Sequence, residues 1–170
     1  MRDMLKLAGI VLVLLGGISR ANAEDMASMV SKYRHAHGLP GVKTDAQLTA
    51  VAERQAQAMA RSGIMDHSVA GSFATRVSNA PVAAAGENLA RGTKTWAETM
   101  QMWEASSGHN ANLLLSGATL IGVGVATNEQ THEVFHALVI GRKLEKRPLQ
   151  PIPSFQPTPL NPSPRVQNWF

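Results

Sequence analysis

Apolar positions change their period several times along the chain, and each change predicts an element. Met26, Met29, Val30, Tyr33 and His37 fall at helical spacing, and Gly38-Leu39-Pro40-Gly41 stops the helix they predict. Thr44 with Gln47 three residues on reads as a capping-box start. Leu48, Val51, Ala52 and Met59 then form one apolar stripe and Gly63 supplies a C-terminal stop, so a second helix ends just before His67. Thr95 and Glu98 repeat the capping-box spacing ahead of a third helix faced by Trp96, Thr99, Met100 and Trp103. That helix runs into Ser106-Ser107-Gly108, which puts His109 just beyond its end.

The period then drops to two. Ile121, Val123 and Val125 alternate with Gly122, Gly124 and Ala126, as in a strand with one bulky face and one bare enough for a helix or a second backbone to approach. Asn128 to Thr131 makes a polar turn into the nearly all-apolar stretch Val134 to Ile140, and the two strands form an antiparallel hairpin. Helices first and paired strands last is an α+β order.

The two ends differ from this middle. Met1 to Ala23 reads as an export signal: Arg2 and Lys6 give the positive start, Leu7 to Ile18 the apolar stretch, and Ala21-Asn22-Ala23 the small-residue cleavage site. The stretch is shorter than the roughly 20 residues a spanning helix needs, so no integral membrane segment is expected after processing, and a periplasmic or secreted location follows. One folded domain is expected over 24–143. From Leu144 to Phe170, seven prolines deny the chain helix or central-strand structure, and a disordered, Pro-rich tail is expected.

Composition narrows the chemistry. The chain has no cysteine, which removes disulfides, thiolate metal sites and cysteine nucleophiles from consideration. Loss of Arg2, Asp3, Lys6 and Arg20 with the signal lowers the formal charge from +4 to +2, too little to point to nucleic acid. Arg142, Lys143, Lys146 and Arg147 cluster at the start of the tail and read as a solvated junction.

Four segments in order, Asp66-His67-Ser68, Gly86-Glu87-Asn88-Leu89-Ala90, Trp103 through Leu114 and Ile121-Gly122-Val123-Gly124-Val125, resemble the signature of the CAP superfamily, in its short secreted bacterial branch. The resemblance implies a three-layer α-β-α sandwich with an antiparallel sheet. It also implies a central cleft with two histidines and two acids. Three of these places map onto His67, Glu87 and His109; the fourth, where the family has a second glutamate, is Ser106 here. The family is associated with sterol and fatty-acid binding, with cell-wall settings and with proposed proteolysis.

Two readings of the cleft stand open at the sequence level. His67 and His109, with Glu87 nearby, suit a divalent cation such as Zn²⁺ with an open position; alternatively Glu87 holds a histidine in a hydrogen-bonded network that needs no ion. The expected function is a binding protein for a metal, a small lipophilic molecule or another cell-envelope component. The alternatives are a metal-assisted hydrolase with Glu87 as general base and an envelope scaffold acting through the tail. The remaining histidines, His35 with His37 and His132 with His136 on one strand face, read as ordinary surface or half-buried residues. Trp96, Met100, Met102 and Trp103 read as core rather than as a groove.

Overall fold

The computed structural model describes residues 16–145, with side chains from Asp25 onward. Met1 to Leu15 of the export signal, Lys146 and Arg147 of the basic cluster, and nearly all of the Pro-rich tail lie outside the described residues. The elements are α1 (Gly16–Ala36), β1 (Lys43–Thr44), α2 (Ala46–Ser62), α3 (Phe73–Val77), β2 (Val82–Arg91), α4 (Trp96–Ala105), α5 (Ser107–Leu113), β3 (Leu120–Thr127) and β4 (Val134–Lys143).

Four strands form one sheet in the order β1-β3-β4-β2. β4 pairs antiparallel with β3, as the hairpin predicts, and also with β2, but β1 pairs parallel with β3 through Lys43 and Thr44, so the sheet is mixed rather than antiparallel. A two-residue strand shows no alternation to read, and the long passage through α2 to α5 supplies the crossover that a parallel pair needs.

Alternation along the strands divides the core in two. On one face Ile121, Val123, Leu138 and Ile140 pack against Met26 and Val30 of α1, Met100 and Trp103 of α4 and Leu113 of α5. On the other, Leu89, Phe135, Ala137 and Val139 meet Leu48, Val51, Ala52 and Met59 of α2. Helices on both faces of a sheet make the three-layer α-β-α sandwich.

Local chemistry sets the helix ends, with two departures from expectation. α2 is capped by Asp45, whose carboxylate accepts the N–H groups of Gln47 and Leu48 at 3.0 Å each, and not by Thr44, whose backbone is committed to β1. α4 carries the full Thr95/Glu98 capping box and ends at the extended Ser106 (φ −97°, ψ 120°), but α5 starts at once, so His109, beyond the end of α4, lies within a further helix. Gly63 closes α2 in the left-handed region at φ 69°.

Arg34, fully buried at the end of α1, ties this helix to the turn after α5. Its guanidinium donates to Pro40 O (2.8 Å), Leu113 O (2.7 Å), Leu115 O (3.1 Å) and Ala118 O (2.9 Å). Four carbonyl dipoles replace the water the cation has lost, while burial draws its pKa below the ordinary value.

α2 lies so close to β3 that a Cβ built on Gly122 would overlap the backbone of Leu48 and Thr49, and one on Gly124 that of Ala52 and Glu53. Backbone cannot step aside as a side-chain tip can. Gly122→Ala is therefore expected to cost about 3 kcal/mol, the upper part of the usual overpacking range, read as a lower urea midpoint with an unchanged slope. A variant with the parent midpoint would show that α2 is not seated on these glycines.

Candidate functional site

Among the described residues β2 is a sheet edge, and its outward carbonyls have no neighbouring strand. Side chains take that place: Trp103 Nε1 donates to Leu89 O at 3.0 Å and Asn112 Nδ2 to Glu87 O at 3.1 Å. Asn112 Nδ2 also reaches Asn88 Oδ1 at 2.9 Å, and Asn88 Nδ2 donates to His109 O at 3.0 Å. Gly86 makes room for this, since a Cβ there would lie 2.5 Å from Asn112 Oδ1. The Gly86-Glu87-Asn88 run thus fastens α5 against the edge of the sheet.

Successive residues of β2 face opposite ways. Asn88 looks toward α5, whereas Glu87 shares the face of Leu89 and meets His67 and α3. Glu87 is 5% exposed. Its Oε1 accepts from His67 Nδ1 at 2.7 Å and from Arg76 Nη2 at 2.9 Å, and its Oε2 accepts from Arg76 Nη1 at 2.6 Å. Arg76 spends its other donors on the same segment, Nη2 also reaching His67 O at 2.8 Å and Nε reaching Gly71 O at 3.0 Å, while its guanidinium lies over the Phe73 ring.

His67 is joined to Glu87 through Nδ1, and its ring is largely open to solvent. His109 approaches the β2 edge from the α5 side. Its ring lies near Trp103, with centroids 6.4 Å apart, and its Nδ1 is buried without a hydrogen-bond partner among the described residues. Burial and, secondarily, the charge of His67 lower its pKa from the ordinary value. Ser106 stands at the junction of α4 and α5 as the residue before α5, with no side-chain capping bond. Contact through side chains therefore joins His67 with Glu87; His109 is tied to the same strand through Asn88 and Asn112. Among the described residues no three His, Asp or Glu side chains are grouped to hold a metal.

Arg76 escapes the sequence reading because a lone arginine in Ser72-Phe73-Ala74-Thr75-Arg76 carries no motif. The spacing of His132 and His136 suits one strand face, but the two do not share one. His132 sits in the turn at φ 59°, while His136 is 2% exposed on β4. The His136 ring meets Trp96 edge-on, centroids 4.7 Å apart, with Nδ1 3.3 Å from Thr93 Oγ1. Both residues line a cleft of about 400 Å³ between α1 and the start of α4, walled also by Met29 and Val125 and rimmed by Asp25 and Lys94. Trp103 and Met100 are core, and Met102 is exposed.

Burial lowers the His136 pKa to about 4. An unfolded histidine titrates near 6.5, so between these values the unfolded chain binds more protons than the folded one. The stability that His136 contributes is complete above about pH 6.5 and is lost as pH falls toward 4. Urea unfolding is expected to show about 2–3 kcal/mol less stability at pH 4.5 than at pH 7 from this residue, and His136→Gln to flatten that slope. An unaltered slope in the variant would place the acid sensitivity elsewhere.

The model of the cysteine-rich secretory protein family, CAP, matches residues 27–140. Among solved structures, the chain is similar to an extracellular protein of Bacillus anthracis containing an SCP domain (27% identity, TM-score 0.66, covering 74% of this chain and 42% of that one). It is also similar to an outer surface protein of Borrelia burgdorferi (17%, TM-score 0.64, 71% and 91%) and to a cysteine-rich secretory protein of Staphylococcus aureus (14%, TM-score 0.61, 75% and 40%). It thus spans less than half the length of the Bacillus and Staphylococcus proteins. No curated protein matches it at a significant level.

Proposed function

The chain belongs to the CAP family, the cysteine-rich secretory proteins, and from that membership and the chemistry at the β2 edge we propose an exported binding module whose imidazoles, His67 and His109, receive a divalent cation of the Zn²⁺ type. Export is supported by the signal-like N-terminal segment and by the extracellular and outer-surface descriptions of two similar proteins.

The observation that carries the reading is the engagement of Glu87. Its two oxygens accept three charge-assisted or imidazole hydrogen bonds, leaving about one of four acceptor directions. A carboxylate so held is a poor general base and a poor metal ligand, which argues for binding over hydrolysis; Ser106, where the family has its second acid, argues the same way. What Glu87 does well is orient His67. With Nδ1 donating to a carboxylate, a neutral His67 presents the Nε2 lone pair outward, the arrangement by which carboxylates support metal-bound histidine. The proposed site is a two-histidine one, its remaining positions open to water or a further ligand, and Glu87 behind the histidine rather than on the ion.

A lipophilic ligand, the second reading, is favoured by a different place: the cleft walled by Met29, Trp96 and Val125. Native mass spectrometry of protein purified without chelator separates the two, since an acyl-sized adduct that survives in His67→Ala belongs to that cleft.

Calorimetric titration of Zn²⁺ tests the main reading. His67→Ala and His109→Ala are each expected to weaken binding at least tenfold, and acidification through about pH 6 to weaken it in the parent, because protons compete for the same lone pairs. Unchanged affinity in both variants would refute the two-histidine site. Metal-dependent turnover of a peptide or glycan that disappears in a folded Glu87→Gln variant would overturn the non-catalytic reading.

A further inference from the structure

We infer that Arg76 is the positioning residue of this site: it sets the tautomer and direction of His67 without touching the ligand. The inference deepens the proposed binding role, since what it positions is the Nε2 lone pair of His67.

Three observations lead to it. The Arg76 side chain is 5% exposed, so it is not presented to a ligand in solution. Its donors are almost all spent: Nε on Gly71 O, Nη1 on Glu87 Oε2, and Nη2 on both Glu87 Oε1 and His67 O, which leaves one N–H of five. It therefore has little left with which to bind an anion. And it holds His67 from two sides at once. Through Glu87 it fixes the acceptor that His67 Nδ1 meets, and through His67 O it fixes the backbone from which the ring projects.

The geometry needs a planar fork. A guanidinium can meet both oxygens of a carboxylate with two parallel N–H groups and still send Nε in another direction, whereas an ammonium is a point charge on a flexible stem. Lysine at this place would keep the charge opposite Glu87 but would not span Glu87, His67 O and Gly71 O together. Arg76 itself stands in α3, whose N-cap Ser72 accepts from Thr75 N, and the cation lies over Phe73 of the same helix. α3 is short and has no fully buried residue; Phe73 and Val77 pack partly buried against the core, and Arg76 is the side chain it aims at β2.

Nitrogen-detected NMR of the metal-free full chain at pH 7.5 tests the inference independently of any ion. The parent is expected to show His67 with its proton on Nδ1. In Arg76→Lys the signature should shift toward the mixed tautomers of an unconstrained imidazole, and Zn²⁺ affinity should fall about tenfold, the usual lower bound for loss of an outer support. If the lysine variant does not fold, Arg76→Gln, which leaves Glu87 in place but cannot span Glu87, His67 O and Gly71 O together, takes its place; His67 should again shift toward the mixed tautomers. The inference is overturned if either folded variant keeps the parent tautomer. Should the parent fail to bind Zn²⁺ while the tautomer still shifts in the variants, the positioning role stands and the metal reading falls.

Discussion

A carboxylate that is almost wholly buried cannot be left alone, and much of the arrangement around β2 follows from satisfying Glu87. Removing one partner from a buried ion pair typically costs about 3–5 kcal/mol, because the other charge stays behind without water. Glu87 draws Arg76 to one side and His67 to the other, and each of these is the anchor of a segment with little core of its own. The stretch from Asp66 to Ser72 has no helix or strand, and α3 has only five residues. Gln55, buried on α2, adds one tie by donating to Asp66 O at 2.7 Å. Val69, Phe73 and Val77 pack the segment partly against the core, and the polar bonds give His67 its direction.

The opposite side of the same strand is organised by backbone accounting. An edge strand offers carbonyls that another chain could pair with, and here Trp103 and Asn112 consume two of them. Because the donors come from α4 and α5, covering the edge and docking the helices are one event. His109 is carried to the edge by that docking, its carbonyl held by Asn88 and its ring near the buried Trp103. Glu87 and Asn88 are adjacent in sequence yet face opposite ways, so one dipeptide fixes one histidine on each side of the edge.

How legible this was depended on the kind of signal. Elements with a long period were readable: the α2 stripe, the α4 capping box and the glycine-faced β3 all reflect burial that repeats along the chain. The bare face of Gly122 and Gly124 was readable as a close approach, though the approaching partner, α2, was not. Single contacts left no period. β1 is two residues long, Asp45 and Thr44 are equally plausible caps until β1 claims the Thr44 backbone, and Arg76 and Arg34 are isolated cations whose partners lie on other elements. The spacing of His132 and His136 suggests one strand face, but His132 lies in the turn with a positive φ and only His136 enters the strand. The family resemblance pointed to His67, Glu87, Ser106 and His109; it said nothing of the arginine on which Glu87 closes.

That arginine changes what the site would hold. The charge of Glu87 is balanced at contact distance by Arg76, and the family's second carboxylate is replaced by the neutral Ser106, so the β2 edge carries little net negative charge. Calcium and magnesium are bound by several hard oxygen ligands whose charge offsets dehydration, and nothing of that kind is assembled here among the described residues. Two imidazoles instead favour borderline ions, for which nitrogen donation and not Coulomb attraction supplies the affinity. Lowering of the His109 pKa by burial keeps that nitrogen available to somewhat lower pH than an exposed histidine would allow. In the proposed site, selectivity between ions would therefore be set by the directions of two lone pairs, and the direction of one of them, at His67 Nε2, traces back through Glu87 to the guanidinium of Arg76.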